Sequence, residues 1–217
     1  MNKHFIAGAA RAVLHGIEKV VPVGPQNVET ATSICRDLAG RGVSSTLGCF
    51  YNHETVPQDI VREHRKASSL LRNYQDGTFY LSLKPWQLHF DPELIAAVAK
   101  TAVPNTHGIS FDSLRDDMVE QSFELLERAM ERNAPATIPH NRWQYGITLP
   151  SRWKRSLEDA DRAAEDGLRV RVVKGEVPAA DRSAEVDPRE GFLGLVERVA
   201  GRVPEIEIAT HDYAVAK

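Results

Sequence analysis

Two cations lie near the end of a short apolar segment, VRVVKG at residues 170 to 175. If this segment is a strand, its side chains alternate between two faces, so Arg171 and Val173 share one face and Lys174 belongs to the other. Two cations at a strand end suit an anionic or electron-rich ligand, and Gly175 permits a close approach of the backbone. In the alternative interpretation, Arg171 pairs with an acidic neighbour inside the protein and Lys174 extends into water.

A second candidate site is the segment ATHD at residues 209 to 212, which presents a hydroxyl, an imidazole and a carboxylate in succession. Thr210 and His211 could bind phosphate or position the edge of a flavin ring. A histidine at a strand end is about as often a structural residue whose hydrogen bonds are satisfied. Both interpretations of this segment stay open at this point.

Lys84 and Asp112 each follow an apolar run and could meet at the same edge of a sheet. Lys84 precedes Pro85, which predicts that the strand ends there and that the ammonium lies at the rim, where it could bind a carboxylate or simply be solvated. Asp112 could pair with Lys84 across neighbouring strands. Asp116 and Asp117 instead suit the first turn of a helix, where acidic side chains are favoured.

The elements that must position these residues are six β-branched or aromatic runs of strand length. They are VSSTLGCF at 43 to 50, FYLSLKPW at 79 to 86, HGISFDSL at 107 to 114, WQYGITLP at 143 to 150, LRVRVVKG at 168 to 175 and EIEIATHD at 205 to 212. Apolar residues recur at helical spacing between the runs, for example Val28, Ala31, Ile34 and Leu38 before the first run. Strands and helices therefore alternate.

This alternation predicts parallel strands joined by right-handed crossovers, in either a barrel or an open sheet. No GxGxxG or Walker pattern follows any of the runs, which favours the barrel over an open nucleotide-binding sheet. We therefore expect an α/β fold of the parallel β/α (TIM-type) barrel class, with six β/α units and hence incomplete. Residues 1–26 are predicted to form an N-terminal helical arm and residues 27–217 the partial barrel domain.

Composition excludes several classes of function. The chain has 217 residues, which suits one domain, and its formal net charge is −3 with neither sign gathered into a long block, which argues against a nucleic-acid surface. The two cysteines, Cys35 and Cys49, have no CxxC spacing and indicate buried reduced thiols rather than a zinc site. The sequence shows neither a signal peptide nor a run of eighteen apolar residues, so we expect a cytoplasmic protein.

The order of the motifs resembles that of the FAD-dependent proline dehydrogenases. LSLKPWQL at 81 to 88 is similar to their second-strand lysine segment, VRVVKG to their Arg-x-x-Lys-Gly flavin strand, and IATHD at 208 to 212 to their Ala-Thr-His segment. SRWKRS at 151 to 156 and EVD at 185 to 187 are also similar to segments of that family. The resemblance extends from about residue 43 to residue 212, with matching order and spacing.

The resemblance implies a barrel that holds FAD, to which a hydride passes from proline, with Δ1-pyrroline-5-carboxylate as the product. By this resemblance Arg171, Lys174 and Gly175 line the flavin, and Thr210 and His211 hold its ribityl and pyrophosphate portion. Lys84 faces the carboxylate region of an amino-acid substrate, and Asp112 lies near the acidic position of the third strand.

The chain departs from the family at several positions. The preceding acidic position of the third strand falls on Ser110, the fourth-strand glutamine on Pro150 and a tyrosine after the Lys-Gly pair on Val177. The last two strands and the final helix of the family, with the paired arginines that grip the proline carboxylate, have no counterpart before Lys217.

Two functions therefore compete at the level of sequence. The first is a flavoenzyme that oxidises proline or a related secondary amine. The second is a non-catalytic or truncated homologue that acts as a binding or interaction protein. In either case the open strand edges of an incomplete barrel predict a homo-oligomer or a partner chain that covers them.

Overall fold

The computed structural model describes residues 27–49, 51, 54–72, 74, 77–113, 115–133 and 142–210. The predicted arm at residues 1–26 and the predicted site residue His211 lie outside these ranges. None of the described helices is long and apolar enough to cross a membrane.

Each of the six predicted runs contains a strand that is shorter than the run. The strands are β1 Ser45–Gly48, β2 Phe79–Leu83, β3 Gly108–Asp112, β4 Tyr145–Pro150, β5 Arg169–Val173 and β6 Ile206–Ala209. The helices between them are α1 Val28–Ala39, α2 Pro57–Leu71, α3 Pro92–Ala102, α4 Val119–Asn133, α5 Ser156–Glu165 and α6 Pro188–Val199. The predicted alternation of strands and helices is therefore confirmed.

Local capping explains where some of these helices begin. The side chain of Asn27 accepts a hydrogen bond of 2.8 Å from the backbone N–H of Thr30 at the start of α1. The Asp187 carboxylate accepts from the N–H groups of Arg189 and Glu190, and Pro188 occupies the first turn of α6. Both arrangements satisfy N–H groups that have no partner within the helix.

The order of the strands decides between the two predicted architectures. The strands follow one another as β1-β2-β3-β4-β5-β6, and the pairs β1/β2, β4/β5 and β5/β6 are parallel. An open doubly wound sheet reverses its strand order at a switch point, whereas sequential order is that of a barrel. The protein is an incomplete parallel β/α barrel, as predicted.

Side chains of β3 and β6 meet across the concave face of the sheet. The hydroxyl of Ser110 donates to Glu207 Oε1 at 3.5 Å, although β4 and β5 lie between their strands. In a flat sheet three strand spacings would separate these strands by about 14 Å. The sheet from β3 to β6 is therefore strongly curved, as a barrel wall requires.

The chain divides into two compact units, Met1–Leu83 with Ala97–Ile109, and Lys84–Ala96 with Ser110–Lys217. Among the described residues, the core of the first unit includes Leu47, Ile60 and Leu81. The core of the second includes Phe123, Ile147, Val170 and Leu195. Each unit thus buries apolar residues from both strands and helices.

The start of α6 packs directly against the turn that follows β4. The hydroxyl of Ser151 donates to Pro188 O at 2.7 Å, and its N–H donates to Val173 O at 2.7 Å. A Cβ atom added at Gly191 would lie 2.0 Å from Ser151 O. The absence of a side chain at Gly191 therefore permits this packing.

Candidate functional site

Three of the predicted site residues come together around one carboxylate. Lys84 follows β2, Asp112 ends β3 and Arg171 lies in β5. Lys84 Nζ is 3.4 Å from Asp112 Oδ2, and Arg171 Nη1 is 3.7 Å from Asp112 Oδ1. The predicted pairing of Lys84 with Asp112 is confirmed, and the acidic neighbour considered for Arg171 is the same Asp112.

Thr148 completes this arrangement and was not identified from the sequence. Its hydroxyl donates to Asp112 Oδ1, and it lies beside Arg171 in the register of β4 and β5. Ile147 and Leu149 are fully buried on the opposite face of β4. A lone threonine between these two apolar residues was the available signal. We call Lys84, Asp112, Thr148 and Arg171 the Asp112 cluster.

The Asp112 cluster is largely shielded from water and carries an excess of positive charge. The side chains of Lys84, Asp112 and Arg171 are 7%, 18% and 20% exposed. Partial removal of water strengthens the interactions among these charges. Two cations surround one carboxylate, so the cluster can attract an anionic or electron-rich group of a ligand.

A second polar group lies deeper between the strands and was also missed by sequence reasoning. The Arg169 side chain is fully buried, forms an ion pair with Glu207 and donates from Nε to Trp143 O at 2.8 Å. Its Nη2 is 3.5 Å from the hydroxyl of Ser110, the residue at the preceding acidic position of the resemblance. The alternation of Glu207 with Ile206 and Ile208 was the signal that could have revealed it.

The structure gives Gly175 a role in packing. Its φ angle is +84°, and an added Cβ atom would lie 2.8 Å from Pro150 Cβ. Glycine adopts such a conformation without the cost that other residues incur. Lys174 lies just beyond β5, with its carbonyl 3.3 Å from the hydroxyl of Ser151. The close approach that Gly175 permits in this structure is to Pro150.

The loop that follows β5 is fastened to the segment after β4. Arg152 Nη1 donates to Glu176 O at 3.1 Å, and Arg152 Nη2 lies 3.2 Å from Glu185 Oε2. Trp153 Nε1 donates to Val177 O at 3.1 Å. The pKa of Glu185 lies below its ordinary value. Partial loss of hydration raises this pKa, but the hydrogen bond from the Ala179 N–H and the positive charge of Arg152 together lower it by more.

The structure also shows what this chain has at the two positions where the resembled family has a glutamine and a tyrosine. Pro150 ends β4 and has no side-chain hydrogen-bonding group. At Val177 the backbone carbonyl, rather than a phenol, takes part in a hydrogen bond. Of the predicted phosphate-binding pair, Thr210 lies directly after β6 and is partly buried, while His211 lies outside the described residues.

Removal of the negative charge of the Asp112 cluster provides a direct test of its arrangement. We expect Asp112→Asn to lower the free energy of unfolding by about 1 to 3 kcal/mol, because the shielded Lys84 ammonium loses its carboxylate. Chemical denaturation measures this change. Asp117→Asn is the control, because Asp117 pairs with Arg115 at an exposed site and should change little. Equal effects of the two substitutions would contradict the arrangement.

Comparison with known proteins found no matching family model and no matching curated protein. Solved structures do match. Proline utilization A of Bradyrhizobium japonicum, in a mutant form, matches with a TM-score of 0.65 at 14% identity over 88% of this chain. Proline utilization A of Bdellovibrio bacteriovorus, inactivated by N-propargylglycine, matches with a TM-score of 0.66 at 12% identity over 88% of this chain.

This chain covers 24% and 25% of the length of those two proteins. At identities this low, the agreement concerns the path of the backbone and not the side chains. The chain therefore shares the fold of the corresponding quarter of the proline utilization A proteins.

Proposed function

We propose that this chain is a flavin-dependent oxidoreductase of the proline dehydrogenase type, which acts on proline or a related secondary amine. The observation that carries the proposal is the convergence of Lys84, Thr148 and Arg171 on Asp112. The similarity of the fold to proline utilization A supports it.

The charge of the Asp112 cluster fits such a cofactor and substrate. When bound, FAD would supply the hydride acceptor. Arg171, with Lys174 just beyond the end of β5, would present positive charge to the electron-rich edge of the flavin. Lys84, which is almost fully shielded from water, would attract the carboxylate of the amino acid.

Asp112 and Thr148 would serve as positioning residues in this proposal. Asp112 accepts from the Thr148 hydroxyl, which limits the rotation of its carboxylate. The fixed carboxylate then holds Lys84 and Arg171 on its two oxygens. A substrate carboxylate must compete with Asp112 for these cations. The Lys84 ammonium is a point charge and cannot form the paired hydrogen bonds that an arginine guanidinium makes with a carboxylate. We therefore expect slow turnover of proline.

The absorption spectrum of the purified protein tests flavin binding, and anaerobic mixing with L-proline tests the reaction. A flavin spectrum that bleaches with L-proline, and not with the same concentration of L-leucine, would support the enzyme. Protein that remains colourless after incubation with FAD would overturn the proposal.

The assignment of Lys174 leads to a separate prediction. We expect Lys174→Met to weaken FAD binding by about tenfold to a hundredfold, because a charge-assisted hydrogen bond contributes about 1.5 to 3 kcal/mol. Flavin content after gel filtration, together with circular dichroism, measures the loss against the integrity of the fold. Lys66→Met is the matched control, because Lys66 pairs with Glu29 on the surface. Equal flavin content in both variants would contradict the assignment.

A second candidate function is a binding protein without catalytic activity. Two observations favour it, namely Pro150 in place of a hydrogen-bonding side chain and the use of the Val177 carbonyl by Trp153. Bound flavin that L-proline does not bleach would distinguish this function from the enzyme.

Assembly with a second copy or another chain stays a prediction. Ile208 of β6 and Leu193 of α6 are 49% and 53% exposed, which is consistent with an apolar surface available for contact.

A further inference from the structure

The first compact unit contains a surface cleft between α2 and the end of α3, with a volume of about 540 Å³. The lining residues carry positive charge or small polar groups, with two apolar neighbours. They are Arg65, Arg72, Ala97, Lys100, Thr101, Pro104 and Asn105. We call this the α2/α3 cleft. Among the described residues, none of those that line it carries a carboxylate.

The cations of the α2/α3 cleft differ from their neighbours on α2 in how they are paired. Arg62 Nη1 lies 2.7 Å from Asp59 Oδ1, and Lys66 forms an ion pair with Glu29. Arg65 and Lys100 have no acidic residue three or four positions away in the sequence, and so lack the usual helical partner. Within the described ranges neither forms an ion pair, and the same holds for Arg72.

Polar groups beside these cations can add hydrogen bonds. The Thr101 hydroxyl donates to Ala97 O over a long 3.3 Å distance, and hydroxyl rotation would allow it to donate to a ligand instead. The side-chain amide of Asn105 provides further donors. Cations, a hydroxyl and an amide in one concave site suit an oxyanion.

We propose that the α2/α3 cleft binds a small molecule that carries phosphate groups. Its volume lies in the range of about 300 to 1,000 Å³ that is typical of small-molecule sites. Guanidinium groups such as those of Arg65 and Arg72 can bind phosphate oxygens in a bidentate manner, and Lys100 adds a third positive charge. This proposal does not depend on the flavin-dependent reaction.

A structural role for the same cations must be distinguished from this one. Arg72 is the C-cap of α2 and Lys100 lies in the last turn of α3, and cations near the C-terminal end of a helix interact favourably with its free carbonyl groups. If that were their whole function, their replacement would lower stability without affecting any ligand.

Isothermal titration of the full chain with inorganic pyrophosphate, in buffer of about 50 mM ionic strength, tests the proposal. We expect saturable binding that weakens with added salt. The double variant Arg65→Gln, Lys100→Gln should bind at least about tenfold more weakly, because two charge-assisted contacts are lost. The matched control is Arg62→Gln, Lys66→Gln, which removes the same charge from α2 outside the cleft.

The proposal holds if the control binds pyrophosphate within about twofold of the unmodified chain, a change below 0.5 kcal/mol, while the cleft variant does not. Equal weakening in both variants would overturn it, because it would indicate attraction by net charge alone. An unchanged titration with a lower melting temperature in the cleft variant would overturn it in favour of helix capping. Absence of binding by the unmodified chain would also overturn it. None of these outcomes depends on whether the protein binds flavin.

Discussion

Replacement of Arg169 with methionine is expected to lower the free energy of unfolding by about 3 to 5 kcal/mol. The Arg169 side chain is fully buried, and its partner Glu207 is only 13% exposed. Methionine fills much of the same volume but leaves the Glu207 carboxylate without its charged partner. Urea denaturation followed by circular dichroism measures the change.

The double variant Arg169→Met, Glu207→Leu gives the sharper test. Replacement of both members of a buried ion pair by apolar residues is often nearly neutral, so the double variant should be more stable than Arg169→Met alone. Such a result would give a large coupling energy in a double-mutant cycle. Arg198→Gln is the exposed control: Arg198 and Arg202 lower the pKa of Asp161 to about 2, yet this network lies in solvent. An effect of Arg169→Met no larger than that of Arg198→Gln would contradict the prediction.

Gly191→Ala is expected to destabilise the protein by about 1 to 3 kcal/mol or more, as overpacking does. The new Cβ atom would lie 2.0 Å from Ser151 O, which is backbone and cannot rotate away. α6 would therefore have to move from the turn after β4. The melting temperature and the urea midpoint report this loss.

Gly194→Ala in the same helix is the matched control. Nothing lies within 4 Å of a Cβ atom added at Gly194, and alanine is favoured over glycine inside a helix by about 0.5 to 1 kcal/mol. The two glycine substitutions should therefore change stability in opposite directions. Stabilisation of similar size by both would show that helix propensity, and not the contact with Ser151, governs this helix.

The sequence predicted the strands and the pairing of Lys84 with Asp112 because both follow from local pattern and parallel topology. Thr148 and Glu207 were missed for a different reason. Alternation along a strand tells which residues share a face, but it does not tell which strands curve toward each other. The contact between Ser110 and Glu207 depends on curvature across three strand spacings.

The α2/α3 cleft was hidden from sequence reasoning by the same limitation. The chain has no long block of like charge, and Lys100 of α3 is separated in sequence from Arg65 and Arg72 by a strand and a loop. They line one cleft only after α2 and α3 have packed together. Gly175 shows a related limit, since its neighbour Pro150 belongs to another strand.

The fastening of the loop after β5 by Arg152, Trp153 and Glu185 bears on the energetics of ligand binding. Ordering of a loop backbone costs about 1 to 2 kcal/mol per residue. For residues 176–186 that entropy is lost when the chain folds, so it does not reduce the free energy of a later binding step. Any ligand that touches this loop meets a preorganised surface, so we expect fast, nearly rigid-body association on this side of the molecule.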